Sequence, residues 1–546
     1  MVFTVREEGN GAFQSDRPLN GIDVLSRDGR KRGNVVAWRV NRYLRPLCWE
    51  VSEDCTVSFV DTSCFEGKEV YRRTLTFLLV LACRTALGRE VLVRHSLSDG
   101  YYCEVPGEAL KTEQVEAVRQ AMGDLVRADV PIVREVLSLD RARTLFEAQG
   151  NREKAELLRW IGIDPVETYR IGDRNGFFYG PMAPSTGAVP VFDLVLHSPG
   201  MVLRFPTVAS PAGLPPFQPP KQLSEVFLEY SGWLDILGIS TMESLHRAVA
   251  QGRGTELVLI SEALHSQRLN RIAEAVVSRP NCRMVCIAGP SGSGKTTTAH
   301  RLSIQLAVCG KRTKILSMDD YFLERSKTPR DAEGNYDFEA IEALDLNLLN
   351  SDIEALLQGR SVRLPRFDFL NGTRESGPEL LLEPGEILVI EGIHGLNDQV
   401  GQSVPDAEKF LLYLSPLTGV NLDRHNRTST TDNRLLRRLV RDYRTRGKKP
   451  EATLLQWPSV IRGAARHIFP YQERADAMFN SALVYELSVL KGYAEPLLRR
   501  IREESPVFGE AQRLLDLLRY APFLPAEDVP NNSILREFIG GSCFKV

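Results

Sequence analysis

The chain has 546 residues, with 68 Lys and Arg against 70 Asp and Glu and a formal net charge of −2. This length is too great for one compact core and, at about 150 residues per domain, indicates three or four domains. A hydrophobic content of 43% with 25% charged residues is typical of a globular protein. The nearly balanced charge excludes general attraction to nucleic acid or anionic lipid, so any basic surface has to be local.

The nine cysteines are scattered and form no Cys-x-x-Cys pair. This distribution argues against a disulfide framework and a zinc ribbon, and it favours a reducing compartment. The first residues lack the basic start and apolar run of a signal peptide, and no uncharged apolar run reaches the roughly 18 residues that a membrane helix needs. We therefore expect a cytoplasmic protein without a membrane span.

Residues 1–64 predict a small β-rich unit. The alternating runs at 35–41 and 55–60 are typical of strands, and the pair Asp28-Gly29 is typical of a turn. The segment 20–25, then Val40-Asn41 followed by Leu44, then an acidic turn and a strand before Gly67, has an order that resembles the TGS domain. That domain is the ubiquitin-like β-grasp module at the front of threonyl-tRNA synthetases. The resemblance implies a TGS-like β-grasp domain at 1–64.

Residues 65–205 combine a helical run with strands and the segment Gly100-Tyr101-Tyr102. This order resembles the second additional domain of threonyl-tRNA synthetases, whose helix carries His-x-x-x-His. Arg73 and Phe77 stand at the two histidine positions here, and neither can act as a neutral metal ligand. We therefore expect a binding or docking module without zinc-dependent or hydrolytic editing.

Residues 206–280 predict a connector followed by a helical linker. Six prolines between positions 206 and 220, Pro211 among them, exclude a helix interior or a central strand there. Helical patterns then begin near 223 and 240 and continue up to the next strand.

A phosphate loop follows. The apolar run 284–288 predicts a buried strand, and Gly289-x-x-x-x-Gly294-Lys295-Thr296 leads from it into a helix. Glycines let backbone N–H groups surround a phosphate, the helix N-terminus adds its positive dipole end, and Lys295 adds charge. Thr296 supplies a hydroxyl for Mg²⁺. We predict that ATP is bound by Gly289, Pro290, Ser291, Gly292, Ser293, Gly294, Lys295, Thr296 and Thr297.

Two later strands end in carboxylates. The run 314–317 leads into Asp319 and Asp320, and the run 387–390 ends at Glu391. Open α/β sheets bind ligands at the carboxyl ends of their strands, and phosphoryl transfer to an alcohol needs a group that takes its proton. We predict Asp319 as this base, Asp320 at the substrate or metal, and Glu391 at Mg²⁺ or the acceptor. The alternative is that these acids only cap helices.

Residues 283–487 are similar to the uridine kinase and phosphoribulokinase family of P-loop kinases. The resemblance is carried by Ser317-Met318-Asp319, 335–338, 343–345, 365–369, Ile390-Glu391-Gly392, 438–442 and Gln456. It implies ATP with Mg²⁺, Asp319 as general base, and acceptor contacts from Tyr336, Asp337, Phe367, Arg438 and Gln456.

The segment from Arg424 to Lys449 holds ten basic residues against two acidic ones. We expect the polar stretch 428–433 to be mobile and the segment to close over phosphates as a lid, with Arg438 and Arg441 as clamps. The alternative is a solvated helix face.

The acceptor is a small molecule, and a nucleoside 5′-hydroxyl is the expectation that the family implies. Uridine kinases usually place Tyr at the position of Phe367 and His at that of Gly372, so discrimination for uracil or cytosine should be weak here. A non-nucleoside metabolite remains an alternative. In a different functional class, the N-terminal half would bind tRNA or the ribosome, although its basic residues form no long patch.

The sequence thus predicts an α/β P-loop NTPase kinase domain at 281–500, a parallel sheet flanked by helices. It is joined to an N-terminal α+β region that contains the β-grasp TGS-like unit. Residues 501–546 predict one amphipathic helix and a surface extension without a motif. Nothing in the sequence indicates an oligomeric state.

Overall fold

The computed structural model describes residues 2–27, 32–207, 210, 213–331, 334–369 and 371–545. The predicted turn at Asp28-Gly29 and Pro211 of the connector lie outside the described residues. The described residues between 213 and 220 form neither helix nor strand, as the prolines predict.

The N-terminal part is built from a mixed sheet and one short helix. Its elements are β1 (Phe3–Glu7), β2 (Gly11–Ser15), β3 (Leu19–Asn20), α1 (Gly21–Arg27), β4 (Val35–Val40), β5 (Tyr43–Pro46), β6 (Glu50–Val51) and β7 (Cys55–Asp61). The five-stranded sheet has the order β2-β1-β7-β4-β5, with β1 and β7 parallel. Trp38 is fully buried in its core. The strands predicted at 35–41 and 55–60 are confirmed within a residue.

The next part contains two antiparallel sheets and four helices. Its elements are α2 (Phe65–Leu87), β8 (Leu92–Leu97), β9 (Gly100–Glu104), α3 (Thr112–Ala128), β10 (Val133–Leu137), α4 (Leu139–Ala148), α5 (Arg152–Ile161), β11 (Val166–Ile171), β12 (Arg174–Gly176), β13 (Asp193–His197) and β14 (Gly200–Arg204). One sheet has the order β13-β14-β9-β8 and the other β10-β11-β12.

On α2, the two positions that the resemblance would give to histidines have structural contacts. Phe77 is buried against Phe178, with ring centroids 5.2 Å apart, and the Arg73 guanidinium donates to the Pro181 carbonyl.

Three helices then lead to the C-terminal part: α6 (Lys221–Leu237), α7 (Met242–Ala250) and α8 (Gly254–Ser278). They are packed against the layers of that part, since α8 lies on the helix that follows the phosphate loop. A buried ion pair fixes this contact, with 3.0 Å between Arg301 Nη1 and Glu262 Oε2.

The C-terminal part, residues 281–500, is a parallel sheet covered by helices. Its elements up to residue 480 are β15 (Met284–Ala288), α9 (Lys295–Val308), β16 (Thr313–Ser317), α10 (Leu346–Leu357), β17 (Val362–Asp368), β18 (Thr373–Leu380), β19 (Ile387–Glu391), β20 (Lys409–Ser415), α11 (Thr430–Arg446), α12 (Pro450–His467) and β21 (Ala477–Asn480). The strand order is β16-β19-β15-β20-β21. Every residue of β15 and β19 is buried, as expected for central strands covered on both faces. The predicted strands at 284–288, 314–317 and 387–390 are confirmed.

Three more helices complete the chain: α13 (Glu486–Leu498), α14 (Phe508–Arg519) and α15 (Leu535–Ile539). The predicted amphipathic helix is α14. The expected surface extension is wrong, because Ile534, Leu535 and Phe538 are fully buried. These apolar residues lie in a segment broken by prolines and turns, so they produce no period that a sequence pattern could reveal.

One continuous apolar core joins the two halves of the molecule. It contains Phe146 and Leu157 of the middle part, Val285 and Leu412 of the parallel sheet, and Leu518 of α14. Among the described residues, no helix combines the length and the apolar character needed to cross a bilayer.

Candidate active site

The phosphate loop leaves the centre of the parallel sheet. Gly292 and Gly294 have φ angles of +80° and +89°, a left-handed backbone that favours glycine. A Cβ on Gly289 would collide with the carbonyl oxygen of Leu414, so only glycine fits beside β20. The loop therefore turns tightly from β15 into α9 and presents the first N–H groups of that helix, which have no acceptor within the helix.

Sheet register places Ser317 beside Glu391, and the start of α9 brings Thr296 to the same carboxylate. Ser317 and Ile287 are both Cα partners of Glu391, on the strands that flank β19. The Ser317 hydroxyl donates to Glu391 Oε1 at 2.7 Å, and the Thr296 hydroxyl donates to the same oxygen at 3.3 Å. Hydroxyl and carboxylate oxygens are the ligands that Mg²⁺ prefers, so this set fits a magnesium ion beside the phosphate loop.

The pKa of Glu391 reflects its burial and the charges around it. Burial and then the charge of Asp319 raise the pKa of the Glu391 carboxyl to about 7, while the Lys295 ammonium opposes the rise. Asp319 follows β16 in a short 3-10 turn and is half-buried. The predicted base and the loop lysine thus both act on the same carboxylate.

The predicted lid is largely a helix, α11, and burial at its start does not support the expected mobility of 428–433. Thr428, Asp432 and Asn433 are buried. The hydroxyl of Ser429 caps α11 by accepting from the backbone N–H groups of Thr431 at 3.2 Å and Asp432 at 3.4 Å. A polar stretch of Ser, Thr, Asp and Asn is typical both of a helix cap and of a loop, and here it forms the cap.

Arginines of α11 tie this helix to the phosphate loop. Arg438 Nη1 donates to the Ser291 hydroxyl at 2.8 Å, and Arg434 Nε donates to the Ser291 carbonyl at 3.0 Å. Arg437 lies deeper and donates to the carbonyls of Gly292 at 3.3 Å and Ser293 at 3.4 Å. Of these three, the sequence predicted only Arg438.

Asp442 organises the predicted clamps. Arg441 Nη2 lies 2.8 Å from its carboxylate, Arg438 Nε lies at 3.3 Å, and Arg446 Nη1 lies at 3.9 Å. Burial alone would raise the pKa of Asp442, but Arg441, Arg438 and Arg446 lower it to about 2. The spacing of Arg438, Asp442 and Arg446 at four-residue intervals on one helix face was the available signal for this cluster.

Gln456 contacts this same group. Its side-chain oxygen accepts from Arg438 Nη2 at 3.2 Å and from the Lys448 ammonium. Burial, and then the charge of Arg438, lower the pKa of Lys448 to about 8. Gln456 is therefore held against the basic cluster of α11.

The predicted acceptor residues make structural contacts. Asp320 Oδ1 accepts from the backbone N–H of Phe367 at 3.2 Å, which fixes the hairpin β17–β18 to the turn after β16. Asp337 Oδ1 accepts from two backbone N–H groups of its own turn at 3.1 Å. Tyr336 lies under the Arg330 guanidinium at 4.4 Å, and Phe367 belongs to an aromatic cluster with Phe322 and Phe369.

Sequence reasoning missed Glu339. This residue is buried, and within the described part of the chain its Oε2 atom has no hydrogen-bond partner. Burial raises the pKa of its carboxyl, opposed by the charges of Arg438, Arg434 and Lys295. Glu339 lies two residues after Asp337, in a segment chosen for its resemblance alone, and no spacing marked it.

Comparison with known proteins gives two separate resemblances. A family model described as the phosphoribulokinase / uridine kinase family matches residues 284–488. A uridine kinase of Deinococcus deserti is 31% identical over 179 residues, which cover 33% of this chain and 77% of that protein. A possible uridine kinase from Bacillus stearothermophilus, known as a structure, has 20% identity and a TM-score of 0.28, covering 39% of this chain and 97% of the other.

A second group of relatives comprises threonine–tRNA ligases. That of Syntrophotalea carbinolica is 32% identical over 164 residues, which cover 29% of this chain and 26% of the ligase. The chain therefore spans only about a quarter of that relative. This likeness supports a synthetase-related N-terminal part.

The two likenesses differ in what they cover. The kinase relatives are matched over most of their length, whereas the ligase is matched over a minor part. A phosphate loop, a hydroxyl-bonded carboxylate at the neighbouring strand end and a basic helix form one cluster in the matched segment. By this match the chain belongs to the phosphoribulokinase / uridine kinase family and is an ATP-dependent kinase.

Proposed function

We propose that the protein transfers the γ-phosphoryl group of ATP to a hydroxyl of a small molecule, and that this hydroxyl is a nucleoside 5′-hydroxyl. The observation that carries the proposal is the cluster at the carboxyl edge of the sheet. There Glu391 bonds to Thr296 of the phosphate loop and lies within the electrostatic influence of both Asp319 and Lys295.

Each role follows from the chemistry of the residue. Lys295 and the backbone N–H groups of residues 289 and 291–297 would bind the phosphates, and Thr296 with Glu391 would hold Mg²⁺, which would neutralise phosphate charge. Asp319 orients the acceptor hydroxyl and takes its proton. Arg438 and Arg441 counter the negative charge that spreads during transfer, held in position by Asp442.

The aromatic residues around Phe367 favour an acceptor that carries a flat aromatic base. Phe367 is buried beside Phe322 and Phe369, with centroids 5.8 Å and 5.1 Å away. Such a cluster stacks with a base but offers no side-chain hydrogen bond that would distinguish one pyrimidine from another. We therefore infer a uridine or cytidine kinase with weak base selectivity. A non-nucleoside alcohol is the second candidate.

The N-terminal half is proposed as a TGS-like unit followed by a unit like the second additional domain, acting in the cytoplasm as a binding part. The central parallel pair of β1 and β7 supports the first assignment. The Phe77–Phe178 contact supports a unit in which apolar packing has replaced the metal-binding pair. Retention of tRNA by the full chain with salt-sensitive affinity would point instead to an RNA-linked regulator.

The test uses Asp319→Asn in the full chain, with labelled ATP and a panel of uridine, cytidine, purine nucleosides and sugar alcohols. Turnover of the preferred acceptor should fall about 10²–10⁴-fold, because the general base is lost. Binding of a non-hydrolysable ATP analogue, measured by calorimetry, should stay within about twofold of wild type.

Asp406→Asn is the matched control, because Asp406 is 90% exposed and precedes β20, at the strand end opposite to the phosphate loop. It should leave both readings unchanged. Turnover by Asp319→Asn near the wild-type rate would refute the role of Asp319. A panel in which only sugar alcohols react would refute the nucleoside assignment.

A further inference from the structure

The C-terminal segment, residues 531–545, reaches the phosphate loop. The carboxylate of Glu537 accepts the backbone N–H of Thr297, with 3.1 Å between Oε2 and N. Thr297 is the third residue of α9, so this N–H is one of the donors that the helix itself leaves free. Such donors bind phosphate at the start of a phosphate-loop helix. A protein carboxylate thus takes one of the donors that a phosphate-loop helix offers to phosphate.

Packing fixes this carboxylate in place. A methyl of Ile534 covers Gly294, where a Cβ would overlap it. The ring of Phe538 lies 5.1 Å from the Arg437 guanidinium, and Arg437 also holds the carbonyls of the loop. The buried side chains of Ile534 and Phe538 therefore hold Glu537 in a position facing α9.

The lid helix grips the same segment. Arg444 of α11 donates to the backbone carbonyl of Glu537 at 2.8 Å and to that of Phe538 at 3.1 Å. The ring of Phe544 stacks on His300, with centroids 5.0 Å apart. Contacts to α9 and α11 together hold the C-terminal segment across the start of the phosphate-loop helix.

The carboxylate also adds negative charge where a nucleotide would bring more. Glu537 and Glu391 are both buried carboxylates, and they bond to the neighbouring residues Thr297 and Thr296 at the start of α9. A bound nucleotide places several negative charges beside Lys295 and Thr296. Like charges at such short range in a buried site repel strongly.

We propose that Glu537 is an internal competitor for the donor site, and that a nucleotide binds by displacing this carboxylate from the Thr297 N–H. The inference rests on the proposed function, because it takes residues 289–297 as the donor site. Since Arg437 and Arg444 link the C-terminal segment to α11, its displacement is coupled to the helix that carries Arg438 and Arg441. Because this competition depends on charge, Glu537 weakens the binding of a nucleotide but not the binding of a nucleoside.

The test compares Glu537→Gln and Glu537→Ala with wild type in the full chain. Binding of MgADP is measured by calorimetry, with adenosine as the uncharged probe. Both variants should bind MgADP about three- to tenfold more tightly, and adenosine affinity should stay unchanged. Glu527→Gln is the matched control, because Glu527 is an exposed carboxylate just before the segment, and it should bind MgADP as wild type does.

Unchanged or weaker MgADP binding by both variants would overturn the proposal and leave Glu537 as a helix cap. Glu537→Gln keeps an acceptor for the Thr297 N–H, so it tests the charge even where Glu537→Ala fails to fold. Hydrogen exchange on wild type gives a second reading, in which MgADP should accelerate exchange at 533–540; slower exchange would contradict displacement. If neither wild type nor variants bind MgADP, the donor-site assignment itself fails.

Discussion

At the scale of single residues, the hydrogen bonds and the pKa of the buried Glu391 are set by its neighbours in the site. Its carboxylate accepts two hydroxyls, and burial with the nearby charge of Asp319 raises its pKa to about 7. An acid with a raised pKa binds a proton more readily in the folded state than in the unfolded chain, where its ordinary value is 4.5. Without metal or nucleotide, the folded protein therefore takes up a proton between these two values.

Glu391 makes the free energy of unfolding depend on pH. As pH rises from 4.5 to 7 the folded state has to give up a proton that the unfolded state has already lost, so Glu391 lowers the free energy of unfolding by up to about 3 kcal/mol. Glu391→Gln should remove this loss and be more stable than wild type at pH 8. Urea unfolding in EDTA at several pH values measures the difference; equal pH slopes for both proteins would contradict it.

Residues of the site differ in how far the sequence could predict them. Lys295, Thr296 and Glu391 lie in local motifs at strand ends, and strand ends in a parallel sheet converge by geometry. Glu339 and Glu537 have no such signal, because they reach the site through chain paths that local spacing does not encode. Asp320 and Asp337 have the residue type of a substrate ligand, yet both bond backbone N–H groups. Their proposed acceptor contacts remain predictions.

At the scale of secondary-structure elements, α11 is a charge-rich segment that forms a helix with a buried face. Arg438, which bonds to Ser291 of the phosphate loop, and Arg441, which pairs with Asp442, were predicted to clamp from a mobile lid. Both lie on a helix instead. The reason is the buried face of α11, where Leu435, Leu436 and Leu439 have no exposed surface. Periodic leucines and a Ser cap predict a helix, while the charge count indicated a solvated or mobile segment.

Ser429→Ala tests this order. Loss of the cap should lower the free energy of unfolding by about 1 kcal/mol and accelerate hydrogen exchange at the amides of 431–434. Ser429→Asp is the control, because it restores an acceptor at the helix start and favours the helix dipole. Exchange at unfolded rates in wild type would show that the segment is mobile after all.

At the scale of the whole molecule, the two halves are bonded to each other. The loop between β20 and α11 is bonded to the synthetase-like part, since the Asn421 amide donates to the carbonyls of Val93 at 2.8 Å and Arg94 at 2.9 Å. A buried ion pair lies in the same contact, with 3.5 Å between Lys154 Nζ and Asp423 Oδ2. Sequence patterns predicted the separate units but not this contact, because it joins residues more than 260 positions apart.

Asp423→Asn should lower the free energy of unfolding by about 3–5 kcal/mol, because it leaves the Lys154 ammonium buried without its counter-charge. Adding Lys154→Met should recover part of the loss, since a neutral pair carries no such penalty. The matched control is Arg159→Met, an exposed residue paired with Glu156, which should cost less than about 1 kcal/mol.

Urea unfolding of the full chain measures all three variants against wild type. A loss no larger for Asp423→Asn than for Arg159→Met would show that the halves are not joined through this pair.

The path of the C-terminal segment limits how the protein can be divided for study. A fragment of residues 284–488, the range that the family model matches, would lack Glu537. It would also lack Lys154, the ion-pair partner of Asp423. It would also expose the apolar surface that Leu535 and Phe538 cover. Such a fragment would report on an opened donor site with an unsupported lid helix, so rates measured on it would describe a different enzyme from the one that the full chain forms.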